Sequence, residues 1–282
     1  MAVMVIGMGL MGRGIAGVLV TVAQLPVVVV DNSPKAMVEA DAYILRQLKR
    51  RGNGATSIEK YVKKFHKLTE AFEKEKIDFV IEAVPENIEL KSKIFQDLEK
   101  LADWNIVLAT NTSSLPITLI SERLEHPQRV IGMHFFNPVN KMRGLEVIPT
   151  KYTSESVLEQ TISLGRSMGK AVSVCRVDIA GFLVNRVLNS NLLEALSLLE
   201  RKAATPREID NIMVACTNAP MGPFQLTDFV GLDTAAAIAH IIFEDSNRDP
   251  KYAPSKLLDK MVQEGKLGTK SGEGFYKYES KL

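Results

Sequence analysis

A histidine and a glutamate at the ends of two apolar runs are the residues of this 282-residue chain best placed to move a proton. His134 closes Val130-Ile131-Gly132-Met133 and precedes Phe135-Phe136-Asn137-Pro138, which sets it at the end of a strand. Glu146 sits between Leu145 and Val147 in another apolar run, where a carboxylate is costly to bury unless it is paired. An imidazole whose ring N–H is held by a carboxylate has a fixed tautomer and a stabilised cation, as a base that accepts a proton from an alcohol requires. The alternative for Glu146 is an edge-strand position facing water. Of the other histidines, His66 and His126 lie in polar, loop-like stretches, and His240 lies on an apolar helical pattern. Two further groups of polar residues follow strand-like runs. Asn111-Thr112-Ser113-Ser114 comes after 106–110, and Glu82 and Glu86 flank the end of 79–83, with Lys91 one turn into the next helix. A serine there bonds a reacting hydroxyl or caps a helix, and capping suits Ser114, ahead of Leu115-Pro116. Glu82 and Glu86 either cap the helix over 88–101 or, for Glu86 with Lys91, face a bound ligand.

The elements that must position these groups begin at the N-terminus. Residues 3–6 form an apolar strand, Gly7-Met8-Gly9-Leu10-Met11-Gly12 a glycine-rich turn opening a helix of small residues, and Val27-Val28-Val29-Val30-Asp31 a second strand ending in an acid. That order is a dinucleotide-binding fingerprint. Gly7 permits the tight turn, Gly9 lets backbone amides approach a pyrophosphate, and Gly12 lets the helix pack on the strand. With Leu10 and Met11 they form the anion-binding end of the helix. Asp31, nineteen residues past Gly12, is spaced to accept hydrogen bonds from both ribose hydroxyls. Neither Asn32 nor Ser33 offers a cation for a 2′-phosphate, so NAD rather than NADP is the expected cofactor.

Up to residue 177, short apolar runs (3–6, 27–30, 79–83, 106–110, 130–134, 145–148, 172–174) alternate with helical patterns such as 88–101 and 154–168. This predicts an α/β fold, an N-terminal Rossmann-type domain over 1–177 with a mostly parallel sheet. From 178 the texture turns helical, over 182–199, 233–243 and 255–264, with a cap, first-turn proline and box glutamate at Thr205-Pro206-Arg207-Glu208. A second, all-helical C-terminal domain over 178–282 follows. Apolar residues at 46% supply a core, and no run approaches the roughly twenty residues that span a bilayer, so no membrane partner is expected. The first core strand starts almost at Met1, leaving no room for a leader, and the expected location is cytoplasmic. Cys175 and Cys216 form neither a CxxC nor a metal pattern; both are expected as small core residues, with no metal. Arg46-Gln47-Leu48-Lys49-Arg50-Arg51, followed by Gly52-Asn53-Gly54 and Lys60, Lys63, Lys64 and Lys67, reads as a solvated helix face or as a cationic arm for a phosphate-bearing ligand. Without interleaved aromatics, and at a net charge of +2, the arm does not suggest a nucleic acid partner.

Taken in order, several segments resemble the 3-hydroxyacyl-CoA dehydrogenases: GMGLMGRGIA (7–16), EAVPENIELK (82–91), NTSSLPIT (111–118), GMHFFNPVNKMRGLEVIPT (132–150), AGFLVNRVL (180–188), PMGPFQLTDFVGLD (220–233) and GKLGTKSGEGFYKY (265–278). The resemblance spans nearly the whole chain. It implies a two-domain fold, a homodimer joined through the helical domain, and reversible NAD-linked oxidation of an L-3-hydroxyacyl-CoA, foremost 3-hydroxybutyryl-CoA. It sets His134 on the family's catalytic base, Glu146 on the carboxylate that orients it, Ser113 on the residue binding the substrate's 3-oxygen, and Asn185 on a substrate-contacting asparagine near the thioester. Glu86, Lys91, Asn137 and Lys270 match positions that contact NAD. Gln47 and Gly54 fall about where the family carries a serine and a lysine toward the CoA phosphates, which leaves Lys49, Arg50 and Arg51 as the expected substitutes. That departure keeps open a dehydrogenase of a free hydroxy or sugar acid. A third reading is an NAD-binding structural protein, but it has no need of the intact Ser113, His134, Glu146 and Asn185 set.

Overall fold

The computed structural model describes residues 1–52 and 57–278. It consists of two compact units, Met1–Asp178 and Ile179–Leu282, divided one residue beyond the boundary expected from sequence. In the first unit the chain runs β1 (Val3–Ile6), α1 (Leu10–Val18), β2 (Val27–Val30), α2 (Pro34–Arg50), β3 (Val62–Phe65), α3 (Leu68–Lys74), β4 (Phe79–Glu82), α4 (Ile88–Leu101), β5 (Val107–Thr110), α5 (Ile117–Ser121), β6 (Val130–Phe135), β7 (Gly144–Pro149), α6 (Glu155–Ser167) and β8 (Ala171–Val174). The strands form one eight-stranded sheet in the order β3-β2-β1-β4-β5-β6-β7-β8. All pairings are parallel except β6 with β7.

Strands β1, β2, β4, β5 and β6 read VMVI, VVVV, FVIE, VLAT and VIGMHF, and every residue in them is buried. Continuous apolar runs of this kind are what a parallel sheet covered on both faces requires. Their polar exceptions, Glu82, Thr110 and His134, all lie toward the C-terminal ends of the strands, where open α/β sheets bind ligands. Three of the helices, α2, α4 and α6, start where short polar side chains cap them: Ser33 Oγ accepts from Ala36 N at 3.3 Å, Asn87 Oδ1 from Leu90 N at 2.9 Å, and Ser154 Oγ from Val157 N at 3.4 Å.

β3 is an element that the apolar pattern does not reveal. Its sequence VKKF buries Val62 and Phe65 and exposes Lys63 and Lys64, as befits a strand at the sheet edge. Those two lysines therefore belong neither to a helix face nor to a basic arm. Lys63 Nζ pairs with Glu75 Oε2 at 2.7 Å and Lys64 Nζ with Asp41 Oδ2 at 2.6 Å. Charged side chains on an edge strand also discourage pairing with another sheet. Asn53 and Gly54 lie outside the described residues.

The second unit runs α7 (Val184–Glu200), α8 (Pro206–Thr217), α9 (Pro223–Val230), α10 (Leu232–Asp245) and α11 (Lys256–Gln263) around a core that includes Leu192, Leu196, Phe224, Leu232 and Leu258. The capping box at the start of α8 is formed, with Glu208 N donating to Thr205 Oγ1 at 3.3 Å and Thr205 N to Glu208 Oε2 at 2.8 Å. The unit is not helical throughout, because 265–278 is an irregular segment pinned by two buried carboxylates. Asp228 accepts from Phe275 N, Tyr276 N and the Tyr278 hydroxyl, each at 2.9 Å. Asp210 accepts from Phe224 N and Gln225 N at 2.9 Å and from the Tyr276 hydroxyl at 2.7 Å. Burial and these hydrogen bonds push both phenols well above their ordinary range. Cys175 is buried as expected, but Cys216, near the end of α8, is exposed. Among the described residues no single helix is long and apolar enough to cross a membrane, and no group of His, Cys, Asp and Glu is arranged to hold a metal ion.

Candidate active site

The C-terminal ends of the parallel strands collect the polar groups singled out in the sequence. Antiparallel register sets His134 on β6 directly opposite Glu146 on β7. Their side chains meet, with His134 Nδ1 2.7 Å from Glu146 Oε2, and the two residues are only 5% and 2% exposed. An ionised carboxylate accepts only, so Nδ1 carries the hydrogen and the neutral ring has its lone pair on Nε2. The Phe136 ring packs against the imidazole at a centroid distance of 4.6 Å. Asn111 Oδ1 accepts from Phe135 N at 3.0 Å, tying the end of β5 to the end of β6.

Glu86 organises the loop after β5. Its Oε1 accepts from Thr112 Oγ1 at 2.7 Å, Ser113 N at 2.8 Å, and Ser113 Oγ, Ser114 N and Ser114 Oγ at 3.1 Å each. Burial pushes this carboxyl up, but the Lys91 charge and the hydrogen bonds from Thr112, Ser113 and Ser114 outweigh it and hold Glu86 below the usual range. Ser114 is therefore not a helix cap: α5 begins after Pro116 without a side-chain cap, and the Ser114 hydroxyl is directed to Glu86.

Neither acid caps α4, whose cap is Asn87. Glu82 is instead the buried partner of Lys91, whose Nζ donates to Glu82 Oε1 at 2.8 Å and Oε2 at 3.0 Å. Thr110 Oγ1 and Val84 N, each at 2.6 Å, complete the shell of Glu82. Both side chains of the pair are 0% exposed. Lys91 is one of the positions expected to contact NAD; here its enclosed ammonium is turned to Glu82, with Glu86 Oε2 3.6 Å away. The sequence signal for Glu82, an acid in an apolar run, was the same that marked Glu146.

A Glu86→Gln change tests the loop. Because the folded carboxyl titrates below its unfolded value, the stability Glu86 contributes is present above the ordinary carboxylate range and is lost as pH falls through the folded value. With the side chain about a third exposed, the variant is expected to be less stable by about 1 kcal/mol at neutral pH. Denaturant titrations should find that gap closing in acid; a gap independent of pH would contradict the assignment.

The glycine turn has the shape a dinucleotide needs. A Cβ on Gly12 would come 1.7 Å from the Gly7 carbonyl oxygen, and Gly7 has φ +88, so neither position admits a side chain without moving the turn. Gly9 has open space beyond it, and it starts α1 without a side-chain cap. The first helical hydrogen bond runs from Arg13 N to Gly9 O at 3.1 Å, which leaves the amides of Leu10, Met11 and Gly12 at the helix end for an anion. Asp31 Oδ2 accepts from Met8 N at 2.6 Å and Oδ1 from Ser33 N at 2.7 Å, fixing the acid beside the turn. These residues fit NAD: the turn amides would hold its pyrophosphate and Asp31 its ribose. Asn137, just beyond β6, is exposed.

Lys49, Arg50 and Arg51 are exposed at the end of α2, and Arg51 Nη1 donates to Thr21 O at 3.2 Å. Gln47 Oε1 accepts from Asn140 Nδ2 at 3.2 Å. In the helical unit, Asn185 is half-buried near the start of α7, and Lys270 Nζ donates to Asp233 Oδ1 at 2.8 Å and Thr234 Oγ1 at 3.1 Å.

A doubly covered parallel sheet with a dinucleotide turn, and with a carboxylate-braced histidine at the same edge, defines an NAD-linked oxidoreductase fold. Residues 2–179 match the 3-hydroxyacyl-CoA dehydrogenase NAD binding domain, and residues 181–278 match the 3-hydroxyacyl-CoA dehydrogenase C-terminal domain. The chain belongs to the 3-hydroxyacyl-CoA dehydrogenase family. It is 38% identical over 286 residues to the mitochondrial hydroxyacyl-coenzyme A dehydrogenase of Sus scrofa, covering 98% of this chain and 90% of that one. It is 40% identical over 284 residues to a probable 3-hydroxybutyryl-CoA dehydrogenase of Bacillus subtilis, covering 99% and 98%. Among solved structures, (S)-3-hydroxybutyryl-CoA dehydrogenase PaaH1 from Ralstonia eutropha superposes with a TM-score of 0.91 at 35% identity, over 99% of both chains.

Proposed function

We propose that this protein catalyses the reversible oxidation of an L-3-hydroxyacyl-CoA to the 3-ketoacyl-CoA, with short-chain substrates such as 3-hydroxybutyryl-CoA foremost. The observation that carries the chemistry is the 2.7 Å contact of His134 Nδ1 with Glu146 Oε2 in a buried strand pair. With Nδ1–H held by the carboxylate, Nε2 takes the proton of the 3-hydroxyl, and Glu146 offsets the imidazolium charge as it forms. Bound NAD supplies the hydride acceptor. Ser113 Oγ–H rests on Glu86 and turns to the substrate's 3-oxygen; Glu86 keeps four other donors, so the turn costs little. The fixed placement of His134, Glu146 and Ser113 in the first unit lowers the entropic part of the barrier, and Asn185 is offered to the thioester side. In the reverse direction the imidazolium returns the proton to the 3-oxygen. Lys49, Arg50 and Arg51 offer positive charge to the CoA phosphates. Pairing of two copies through the helical unit goes with this reading, supported by apolar Val187, Ile212 and Phe229 lying exposed on α7, α8 and α9.

The test mixes the protein with NADH and follows absorbance on adding acetoacetyl-CoA or free acetoacetate. Oxidation with the thioester alone is the expected result. Oxidation with the free acid alone would transfer the reading to a hydroxy acid dehydrogenase, and none with either would overturn it.

A further inference from the structure

The helical unit contains a buried polar group that finds no partner among the described residues. Asn189 is 5% exposed, and its Nδ2 makes no hydrogen bond to any of them. It lies on α7 four residues beyond Asn185, and both residues line one cavity of about 430 Å³. Residues four apart share a helix face with Cβ atoms about 5–6 Å apart. The wall around them is largely apolar, with Leu188, Leu192, Met213, Leu226 and Val230 among its contributors, and no charged side chain lines it among the described residues. The two threonines of the wall use their hydroxyls locally: Thr217 Oγ1 donates to Met213 O at 2.6 Å and Thr227 Oγ1 to Pro223 O at 2.7 Å. Asn189 is thus a leftover donor in an apolar cavity. A buried N–H without an acceptor destabilises the fold, whereas a leucine of similar volume would not, so packing gives no reason for a carboxamide there.

We propose that Asn189 is a specificity residue, and that this cavity takes an acyl chain carrying a neutral oxygen, a hydroxyl or keto group beyond the reacting carbon, which accepts the Nδ2 hydrogen bond. This rests on the hydroxyacyl-CoA reading and adds to it a choice among acyl chains. With Asn185 toward the thioester, the spacing to Asn189 spans a few carbon atoms of chain. A plain hydrocarbon satisfies the wall but leaves the amide unbonded. A terminal carboxylate would bury its charge with no cation beside it, a cost one amide hydrogen bond does not return. Sites that hydrogen-bond a substrate group reject analogues lacking it more strongly than apolar pockets reject an extra methylene.

The experiment measures kcat/KM with NADH for 3-oxohexanoyl-CoA, its 6-hydroxy derivative and its 6-carboxylate counterpart. The hydroxy compound is expected to exceed the plain chain by roughly tenfold or more, with the carboxylate below both. Asn189→Leu and Asn189→Ala should each bring the hydroxy-to-plain ratio to one or less. A wild-type preference for the plain or carboxylate chain, or a ratio unchanged in both variants, overturns the proposal. So does a change in sedimentation of the variants without a change in ratio, which would assign the amide to a contact between copies. Turnover of acetoacetyl-CoA but of none of the three, or turnover without an oxygen preference, overturns this inference alone, whereas no turnover of acetoacetyl-CoA either overturns the underlying reading as well.

Discussion

His134→Gln is expected to lower turnover by about a hundredfold to ten-thousandfold while leaving NADH affinity within about twofold. Glutamine can fill the space and donate to Glu146, but it cannot take and return a proton at any accessible pH. The residues offered to the cofactor, from Gly7 to Gly12 together with Asp31, lie in the turn after β1, at the start of α1 and just past β2, whereas His134 is on β6, with β4 and β5 between it and β1 in the sheet. Binding and chemistry should therefore separate cleanly. The variant also replaces a charge-assisted bond to a carboxylate that is 2% exposed, so a stability loss of about 1–3 kcal/mol should accompany it. Turnover must then be read well below the melting temperature, at saturating acetoacetyl-CoA and NADH, with NADH titrated by fluorescence. Turnover within threefold of wild type would remove His134 from the chemistry. A parallel loss of NADH binding would show that the substitution had disturbed the sheet edge rather than the base.

The sequence is legible here where one physical rule dominates. Strands buried on both faces announce themselves as unbroken apolar runs, and the expected β1, β2 and β4 to β8 agree with the structure to within a residue at each end. The His134–Glu146 contact was readable for the complementary reason: a carboxylate in such a run must find a partner, and a strand-end histidine was at hand. Glu82 sends the same signal, but its partner Lys91 is a helix residue nine positions on, and on sequence both acids passed for helix caps. β3 was hidden because an edge strand half open to water needs only Val62 and Phe65 as apolar anchors, and its central lysines mimic a charged loop. The Glu86 hub escaped because a cap and a loop clamp use the same residue types, and the choice rests on distances that spacing cannot supply. The irregular end of the helical unit depends on Asp210 and Asp228 reaching tyrosines 66 and 50 positions away. Long-range polar contacts of that kind leave no period in the sequence to detect.

Lys91→Met should cost the first unit about 3–5 kcal/mol, the penalty for stripping a buried charge of its counterion. With Glu82 and Lys91 both 0% exposed, water cannot take over the ammonium's role. Thr110 Oγ1 and Val84 N would remain on the carboxylate, but neither carries charge. At about 2–4 °C per kcal/mol for a domain of this size, the expected fall in Tm is on the order of 10 °C. The double variant Lys91→Met with Glu82→Gln should recover most of that loss, because replacing a buried ion pair by uncharged groups of similar shape removes both desolvation costs together. A structural pair predicts no more than this recovery. A pair that also holds the active-site loop predicts a residue of damage: without Lys91 the Glu86 carboxyl loses the charge that most lowers it and rises toward its ordinary range. The recovered double variant should then unfold near wild-type temperature yet bind acetoacetyl-CoA less tightly, and lose that binding at a higher pH on acidification. If the single variant melts within about 2 °C of wild type, Lys91 is not buried against Glu82 in solution, and the clamp it is assigned to support must be held by other groups.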